Sequence, residues 1–294
     1  MNESPELSII IASYNSGSSI RRCLESLRRQ DTEAGFEVIV VDSSTDGAAS
    51  IVENNFPEVR LFTFAERKFC GDARNFGISV ARSEIAAFID ADCTAERDWV
   101  ESIIKAHRSP YPAIGGAIAN GDLGSYVGWA GYFCEFSQWM PHTAAGWMAD
   151  VAGAGMSYKR KVFEDLGCFI EGTYSSDTEL HWRLAQSGHL IRFEPSIRIS
   201  HYCIDNLSDL IRHEFFHGMN FAVVRVKAQD FSKLKRLVYS ALFFLIPVRL
   251  FLRIGLSNLR NRIYLVQFIK SSPLLLLNLF SWSLGECVGY IKGV

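Results

Sequence analysis

Two aspartates spaced i, i+2 close residues 85–92, IAAFIDAD, where an apolar run ends abruptly in acid. The run reads as a buried strand, and Asp90 and Asp92 fall where that strand opens into a loop. In open α/β sheets the ligand crevice lies beyond the carboxyl ends of the strands. Two carboxylates there could hold a divalent cation and, through it, a diphosphate. The same residue types also cap turns and helices, so the pair by itself leaves chemistry and local structure both open.

Three earlier segments repeat the grammar of buried strand, polar loop and amphipathic helix. Residues 7–12 lead into Ser13, Tyr14 and Asn15, then into a helix with Ile20, Cys23, Leu24 and Leu27 on one face. Residues 38–41 run into Asp42 and a polar loop in which Asp46 is placed to cap a short helix. Residues 59–64 predict a further strand, and residues 72–80 a further helix carrying Arg74 and Asn75. Alternation of this kind implies a largely parallel sheet with right-handed crossovers, so the polar residues gather at one edge. There Asp42 could bond a ribose or a base edge, Arg74 could neutralise phosphate, and Asp90 and Asp92 could anchor a metal. Neither G-x-G-x-x-G nor G-x-x-x-x-G-K-[ST] occurs in this segment. A nucleotide held here would need a cation in place of a phosphate loop.

With these pieces in hand, residues 7 to about 205 resemble the inverting glycosyltransferases of family 2, which have the GT-A fold. The matching segments are SIIIASYN at 8–15, VIVVDSSTDG at 38–47, GDARNFGI at 71–78, FIDAD at 88–92, GAGMSYKRKVFEDLGCF at 153–169 and SSDTELHWRLAQSGH at 175–189. The resemblance implies a nucleotide-sugar donor held by Ser13, Tyr14, Asn15, Asp42, Arg74 and Asp90, with Asp42 at the nucleoside. It implies Mg2+ or Mn2+ at Asp90 and Asp92, completed by His201, and Asp177 as the catalytic base. The small residues Gly153, Ala154 and Gly155 precede a strand and are assigned to the donor-sugar pocket, where backbone can approach a ligand closely. An inverting transfer needs such a base, because the attacking acceptor hydroxyl must lose a proton as the bond to the diphosphate breaks. Ser176 stands where the family usually has Glu. Two structural alternatives stay open: Asp177 as N-cap of a helix bearing Leu180, Trp182 and Leu184, and His201 as a hydrogen-bonded strand-end residue.

Residues 120–151 are rich in glycine and aromatics, including Tyr126, Trp129, Tyr132, Phe133, Phe136, Trp139 and Trp147. Rings at such spacing are expected mostly in the core, although they could also stack on a sugar or grip a lipid-linked acceptor. His213-Glu214-Phe215-Phe216-His217 is a formal H-E-x-x-H, the pattern of zinc peptidases. No histidine follows His217, and the acids beyond it are Asp230 and Glu286 alone, so a zinc hydrolase is the remote alternative.

The 294 residues are 48% hydrophobic with net charge −2, which fits a folded enzyme and does not point to nucleic acid as a partner. Seven cysteines without a C-x-x-C predict reduced thiols in a cytosolic setting, and the polar N-terminus predicts no signal peptide. From Arg225 to Lys270 ten basic residues face a single acid, Asp230. Apolar stretches at 237–256 and 273–291 are interrupted by Pro247, Arg249 and Arg253, and by Glu286. Two interfacial amphipathic helices, two membrane spans or a buried helical subdomain each fit that pattern. The expected layout is a GT-A domain at 1–215 and a membrane-associated helical region at 216–294. The expected function is transfer of a sugar, with UDP the default carrier, to a glycan or lipid-linked acceptor on the cytoplasmic face of the inner membrane. A binding module that keeps the fold without activity is the alternative outside transferases, with Ser176 as its support.

Overall fold

The computed structural model describes residues 4–293. A nine-stranded sheet runs in the order β3-β2-β1-β4-β8-β6-β9-β5, with β7 paired to β9. Its first half is built from the predicted alternation: β1 (Leu7–Ser13), α1 (Ile20–Arg28), β2 (Phe36–Asp42), α2 (Ala48–Asn55), β3 (Arg60–Thr63), α3 (Cys70–Val80) and β4 (Ile85–Phe88). Strands β1, β2, β3 and β4 pair in parallel, and the register sets Ser13 opposite Asp42. Because β1 and β2 are buried on both faces, they read as continuous Ile and Val runs rather than as alternations.

The second half departs from the largely parallel sheet expected. After β5 (Cys93–Ala95) and α4 (Trp99–His107) come β6 (Ala113–Asn120), β7 (Gly146–Met148), a single 3-10 turn at Gly153–Gly155, β8 (Met156–Lys159), α6 (Lys161–Leu166), α7 (Ser176–Gln186) and β9 (Ile191–His201). Here β8 pairs antiparallel with both β4 and β6, and β9 pairs antiparallel with β5 and β7. Strands β5, β7 and β8 are only three or four residues long and leave too short a pattern in the sequence to be read, and the direction of the longer β6 and β9 is set by these remote partners.

Two compact units result. One comprises the residues up to Ala119 with Trp139–His201; the other comprises Asn120–Gln138 with the residues from Tyr202 onward. The composition change placed at 216 falls inside α8 (Leu207–Ala228), which is one uninterrupted helix. The second unit holds α5 (Tyr126–Phe136), α8, α9 (Lys233–Ala241), α10 (Leu245–Asn261) and α11 (Leu265–Lys292). The 237–256 stretch is broken by a 63° bend between α9 and α10, whereas 273–291 is the body of α11. Among the described residues α11 alone is long and apolar enough by itself to cross a membrane; α9 and α10 pass that test only when the bent pair is counted as one span. Trp129, Tyr132, Phe133 and Phe136 are core as expected, while Tyr126 and Trp147 stand exposed.

At the carboxyl end of β4 the core of the first unit is aromatic. Phe88 is fully buried and meets Tyr158, Phe163 and Phe169 edge-on at 6.1, 6.3 and 5.5 Å between centroids. That cluster is the floor beneath Asp90. Phe88→Ala leaves a ring-sized cavity and is expected to cost about 3–5 kcal/mol of stability by chemical denaturation, against about 1.5 kcal/mol or less for Phe88→Leu.

Candidate active site

Arg74 is the residue on which the strand-end edge converges. It sits on α3 and is only 4% exposed. Its Nη2 donates to Asp90 Oδ1 at 3.1 Å and to the Gly153 carbonyl at 3.2 Å. Its guanidinium lies 5.9 Å from the ring centres of Phe88 and of Phe169. Burial by itself would lower this group, but Asp90 overrides that and holds the guanidinium above its ordinary value. Both of these bonds use Nη2, which ties one end of the guanidinium to protein oxygens on the strand-end edge. Asn75 beside it is equally committed: its amide donates to Phe169 O at 2.8 Å and accepts from Phe169 N at 3.0 Å.

Asp177 approaches the same point from α7. A Cβ added to Gly153 would fall on Asp177 Oδ2 and lie 3.1 Å from Arg74 Nη2, so only glycine lets carboxylate, guanidinium and turn meet. Asp177 is inside the first turn of α7, not at its cap; the cap position is Ser175, in the left-handed region at φ 56°. An acid in the first turn is favoured by the helix dipole, so its location is stable without a structural bond from its own side chain. Ser176, where a glutamate was expected, is 2% exposed. Helix α3 approaches closely through Gly71, where an added Cβ would lie 2.9 Å from Ser176 Oγ.

Asp42 at the end of β2 is 2% exposed and serves neighbouring hydroxyls. It accepts from Ser13 Oγ, from Ser44 Oγ at 2.6 Å and from Ser44 N at 3.1 Å. Ser13 in turn bonds Ser16 Oγ at 2.6 Å. Asn15, with φ 52°, donates its backbone N–H to Ser44 Oγ at 2.7 Å and accepts from Thr45 N at 3.2 Å, lacing the first two loops together. The cap position of α2 is Gly47, not Asp46; Asp46, one residue earlier, accepts from Ala48 N at 3.2 Å and from Gly17 N at 2.8 Å. What these loops present outward is Tyr14, 43% exposed, with the Arg67 guanidinium 4.3 Å above its ring. Arg67 also donates to Tyr174 OH at 2.8 Å. Sequence reasoning missed Arg67, whose partners include the nearby Phe69 ring at 4.9 Å but also the distant Tyr14 ring and the hydroxyl of Tyr174.

Asp92, Cys93 and His201 have ligand atoms within 4.8 Å of one another, the single such His/Cys/Asp/Glu group among the described residues. His201 Nε2 lies 3.4 Å from Asp92 Oδ1, and the pairing of β5 with β9 sets Cys93 opposite His201. A carboxylate with an imidazole suits Mn2+ or Mg2+. Cys93 is fully buried, and burial raises its thiol well above the ordinary range; it donates toward Asp92 Oδ1 at 3.7 Å instead of offering a thiolate. Asp90, expected as a metal ligand, is tied to Arg74. Burial raises its carboxyl, Arg74 opposes that and Asp92 adds to it. The residues present therefore fit a cation at Asp92 and His201, with Asp90 beside them.

A second polar chain went unread in the sequence. His181, one helical turn after Asp177, is buried between the Asp150 carboxylate at Nδ1 and the Tyr158 hydroxyl at Nε2. With its Nδ1–H given to the carboxylate, Nε2 is left to accept the phenol proton. Burial holds the Tyr158 hydroxyl protonated, and the relay fixes the face of α7 that carries Asp177.

The zinc-hydrolase pattern is overturned. Glu214 is fully buried beside Cys134 and Glu135, and burial, reinforced by Glu135, raises its carboxyl well above the ordinary range. His213 and His217 are ring neighbours at 5.7 Å, but neither joins the metal-competent group. A protonated, buried acid cannot be the base that chemistry needs.

Comparison with known proteins fits this arrangement. Residues 8–167, more than half of the chain, match the sequence model described as glycosyl transferase family 2. The pre-mycofactocin glycosyltransferase of Mycobacterium tuberculosis is 26% identical over 252 residues, covering 76% of this chain and 48% of that protein. This chain thus spans about half the length of that relative. The glycosyltransferase AglE of Haloferax volcanii is 24% identical over 254 residues, covering 82% of this chain and 81% of that one. A mannosyltransferase from Pyrobaculum calidifontis, solved with GDP-Man and Mn2+, superposes with a TM-score of 0.60 over 79% of this chain and 66% of that one, at 23% identity. That likeness concerns the fold.

Replacing Arg74 should leave Asp90 without a counter-charge. Arg74→Met is expected to cost about 3 kcal/mol, the low end for a broken buried pair, because the Asp90 side chain is 33% exposed. Adding Asp90→Asn to it is expected to recover part of that loss in a denaturation series.

Proposed function

The chain belongs to glycosyl transferase family 2, and from that premise we propose that it moves a sugar from a nucleoside-diphosphate sugar to an acceptor hydroxyl with inversion at the anomeric carbon. The observation that carries the reading is the meeting of Asp177, Arg74 and Gly153 at the strand-end edge that also bears Asp90, Asp92 and His201. In the reaction the acceptor oxygen attacks the anomeric carbon and its proton passes to the Asp177 carboxylate. The carbon–oxygen bond to the diphosphate breaks, and the nucleoside diphosphate leaves with the bonding pair. Arg74 holds Asp177 and Asp90 where these events occur, which is positioning rather than chemistry. When bound at Asp92 and His201, with Asp90 adjacent, Mg2+ or Mn2+ would stabilise the charge on the departing diphosphate.

Donor recognition is assigned to the loops after β1 and β2. Ser13, Asn15 and Asp42 fix those loops by their mutual hydrogen bonds, and Tyr14 with Arg67 offers a ring and a cation to the nucleotide. The turn Gly153-Ala154-Gly155 is assigned to the sugar. UDP is the family's usual carrier, whereas the fold neighbour was solved with GDP-Man and Mn2+. The acceptor is proposed to be a polysaccharide or lipid-linked glycan at the cytoplasmic face of the inner membrane. The basic, apolar helices of the second unit support that location. Ser176 in place of the usual glutamate is the one feature favouring an inactive binding module, and Asp90, Asp92 and Asp177 speak against it.

Asp177→Asn removes the proton acceptor and nothing else of similar size. Turnover is expected to fall by about 10²–10⁴-fold with donor affinity nearly unchanged. Loss of donor affinity in calorimetry would make Asp177 a binding residue. Asp92→Ala is expected to abolish the metal dependence of nucleotide binding, and binding that persists undiminished in chelator would refute the metal assignment.

A further inference from the structure

Apolar surface in the second unit is turned outward. Along α10, Leu245, Val248, Leu252, Leu256 and Leu259 are 49–65% exposed and fall on one stripe by their spacing of three and four. Leu234 and Leu237 on α9, and Val266 and Ile269 at the start of α11, extend the apolar exposure. The interior holds apolar side chains such as Ile254, Leu275 and Leu279 but mixes polar groups among them: Asn258, Ser271, Asn278 and Ser283 are each at most 1% exposed. A bundle made for water keeps its apolar stripe inward, and its exposed apolar patches rarely exceed a few hundred Å².

Basic residues flank the stripe. Arg249, Arg253 and Arg260 are exposed and lie one position on from Val248, Leu252 and Leu259, so guanidinium and hydrocarbon form adjacent rows on the same helix. Lys233 and Lys235 are exposed on α9. This pairing fits a surface that offers phosphate above hydrocarbon, which an anionic bilayer does and a protein groove does not.

Crossing of the membrane is opposed by what α11 is fastened to. It runs parallel to α8: Ser281 bonds Ile211 O at 2.7 Å at one end, and the Tyr290 hydroxyl accepts from Arg225 at 3.1 Å at the other. Between them a Cβ on Gly285 or Gly289 would overlap the carbonyl of Phe215 or Met219, so the two backbones touch. Helix α8 would have to enter the hydrocarbon as well, carrying Arg212, His213, Asn220, Arg225 and Lys227. Each such charge at bilayer mid-depth costs roughly 2.5–3.5 kcal/mol even on the most lenient scale.

We propose that α9, α10 and the first turn of α11 form a binding face for one leaflet of an anionic phospholipid bilayer. The leucine stripe enters the upper acyl region, and Arg249, Arg253 and Arg260 lie on headgroup phosphates. This face rests on the membrane-associated reading above and is independent of the transfer chemistry.

Flotation of the full chain with vesicles of phosphatidylcholine, alone or mixed with phosphatidylglycerol, tests it. Binding is expected to the mixed vesicles, with release by alkaline carbonate. Charge reversal in Arg249→Glu with Arg253→Glu should weaken partition about 30-fold or more, at roughly 1 kcal/mol for each basic residue near an anionic surface. Leu252→Asp with Leu256→Asp should abolish it; both pairs are exposed, and circular dichroism checks that the variants fold. Retention after carbonate would overturn the one-leaflet face in favour of a span. Equal binding to neutral vesicles, or no flotation of folded protein, would also overturn it. Nucleotide-dependent thermal stabilisation of the same samples reports separately on the catalytic unit, so failure of the face and failure of the transferase reading are told apart.

Discussion

A guanidinium buried at the edge of a sheet has to be matched by acid and carbonyl oxygens, and in this protein that requirement assembles the site. Arg74 reaches Asp90 at the end of β4, the Gly153 carbonyl before β8 and the neighbourhood of Asp177 on α7. Those three points lie 16, 79 and 103 residues from Arg74 in the chain. An unpaired buried charge costs several kcal/mol, so folding that buries Arg74 also brings the three together. The aromatic floor of Phe88 and Phe169 keeps water from substituting for them.

Around that clamp the polar residues divide their labour. Asp42, Ser13, Ser16 and Ser44 satisfy one another and stiffen the first two loops, while Tyr14 and Arg67 remain turned outward. Asp92, just before β5, and His201, at the end of β9, are brought close by the antiparallel pairing of those two strands, with His201 Nε2 3.4 Å from Asp92 Oδ1. The relay through Asp150, His181 and Tyr158 fixes α7 from behind. Inward groups thus serve geometry, and outward groups are the ones left for ligands.

The legible part of the fold was the parallel half. Each of its units shows a buried run, a polar loop and an apolar helix face in order, and strands and helices appear where that pattern set them. The antiparallel half was not legible as such, because the short strands β5, β7 and β8 carry no period and the partners that orient β6 and β9 are remote. At the site, residue types were readable and their partners were not. The sequence shows Arg74 as a cation at the right edge, but only the fold reveals that its Nη2 is bonded to Asp90 and to the Gly153 carbonyl. Likewise Asp42 carries the right charge at the right strand end, and the neighbouring hydroxyls that occupy it come partly from another strand. Arg67 and His181 gave no signal, since their partners Tyr174 and Asp150 stand 107 and 31 residues away. In the second unit hydropathy was readable, whereas which leucines turn outward, Leu252, Leu256 and Leu259, and which inward, Leu275 and Leu279, required the packed helices.

Thermal unfolding of the wild-type protein with UDP, GDP, CMP and dTDP, each with Mn2+, with Mg2+ and with EDTA, tests the central claim that this edge binds a nucleotide through a cation. At ligand well above its dissociation constant, one nucleotide is expected to raise the midpoint by roughly 5 °C or more with metal and by nothing with EDTA. A folded protein that responds to none of them, or a stabilisation that EDTA leaves intact, would contradict it.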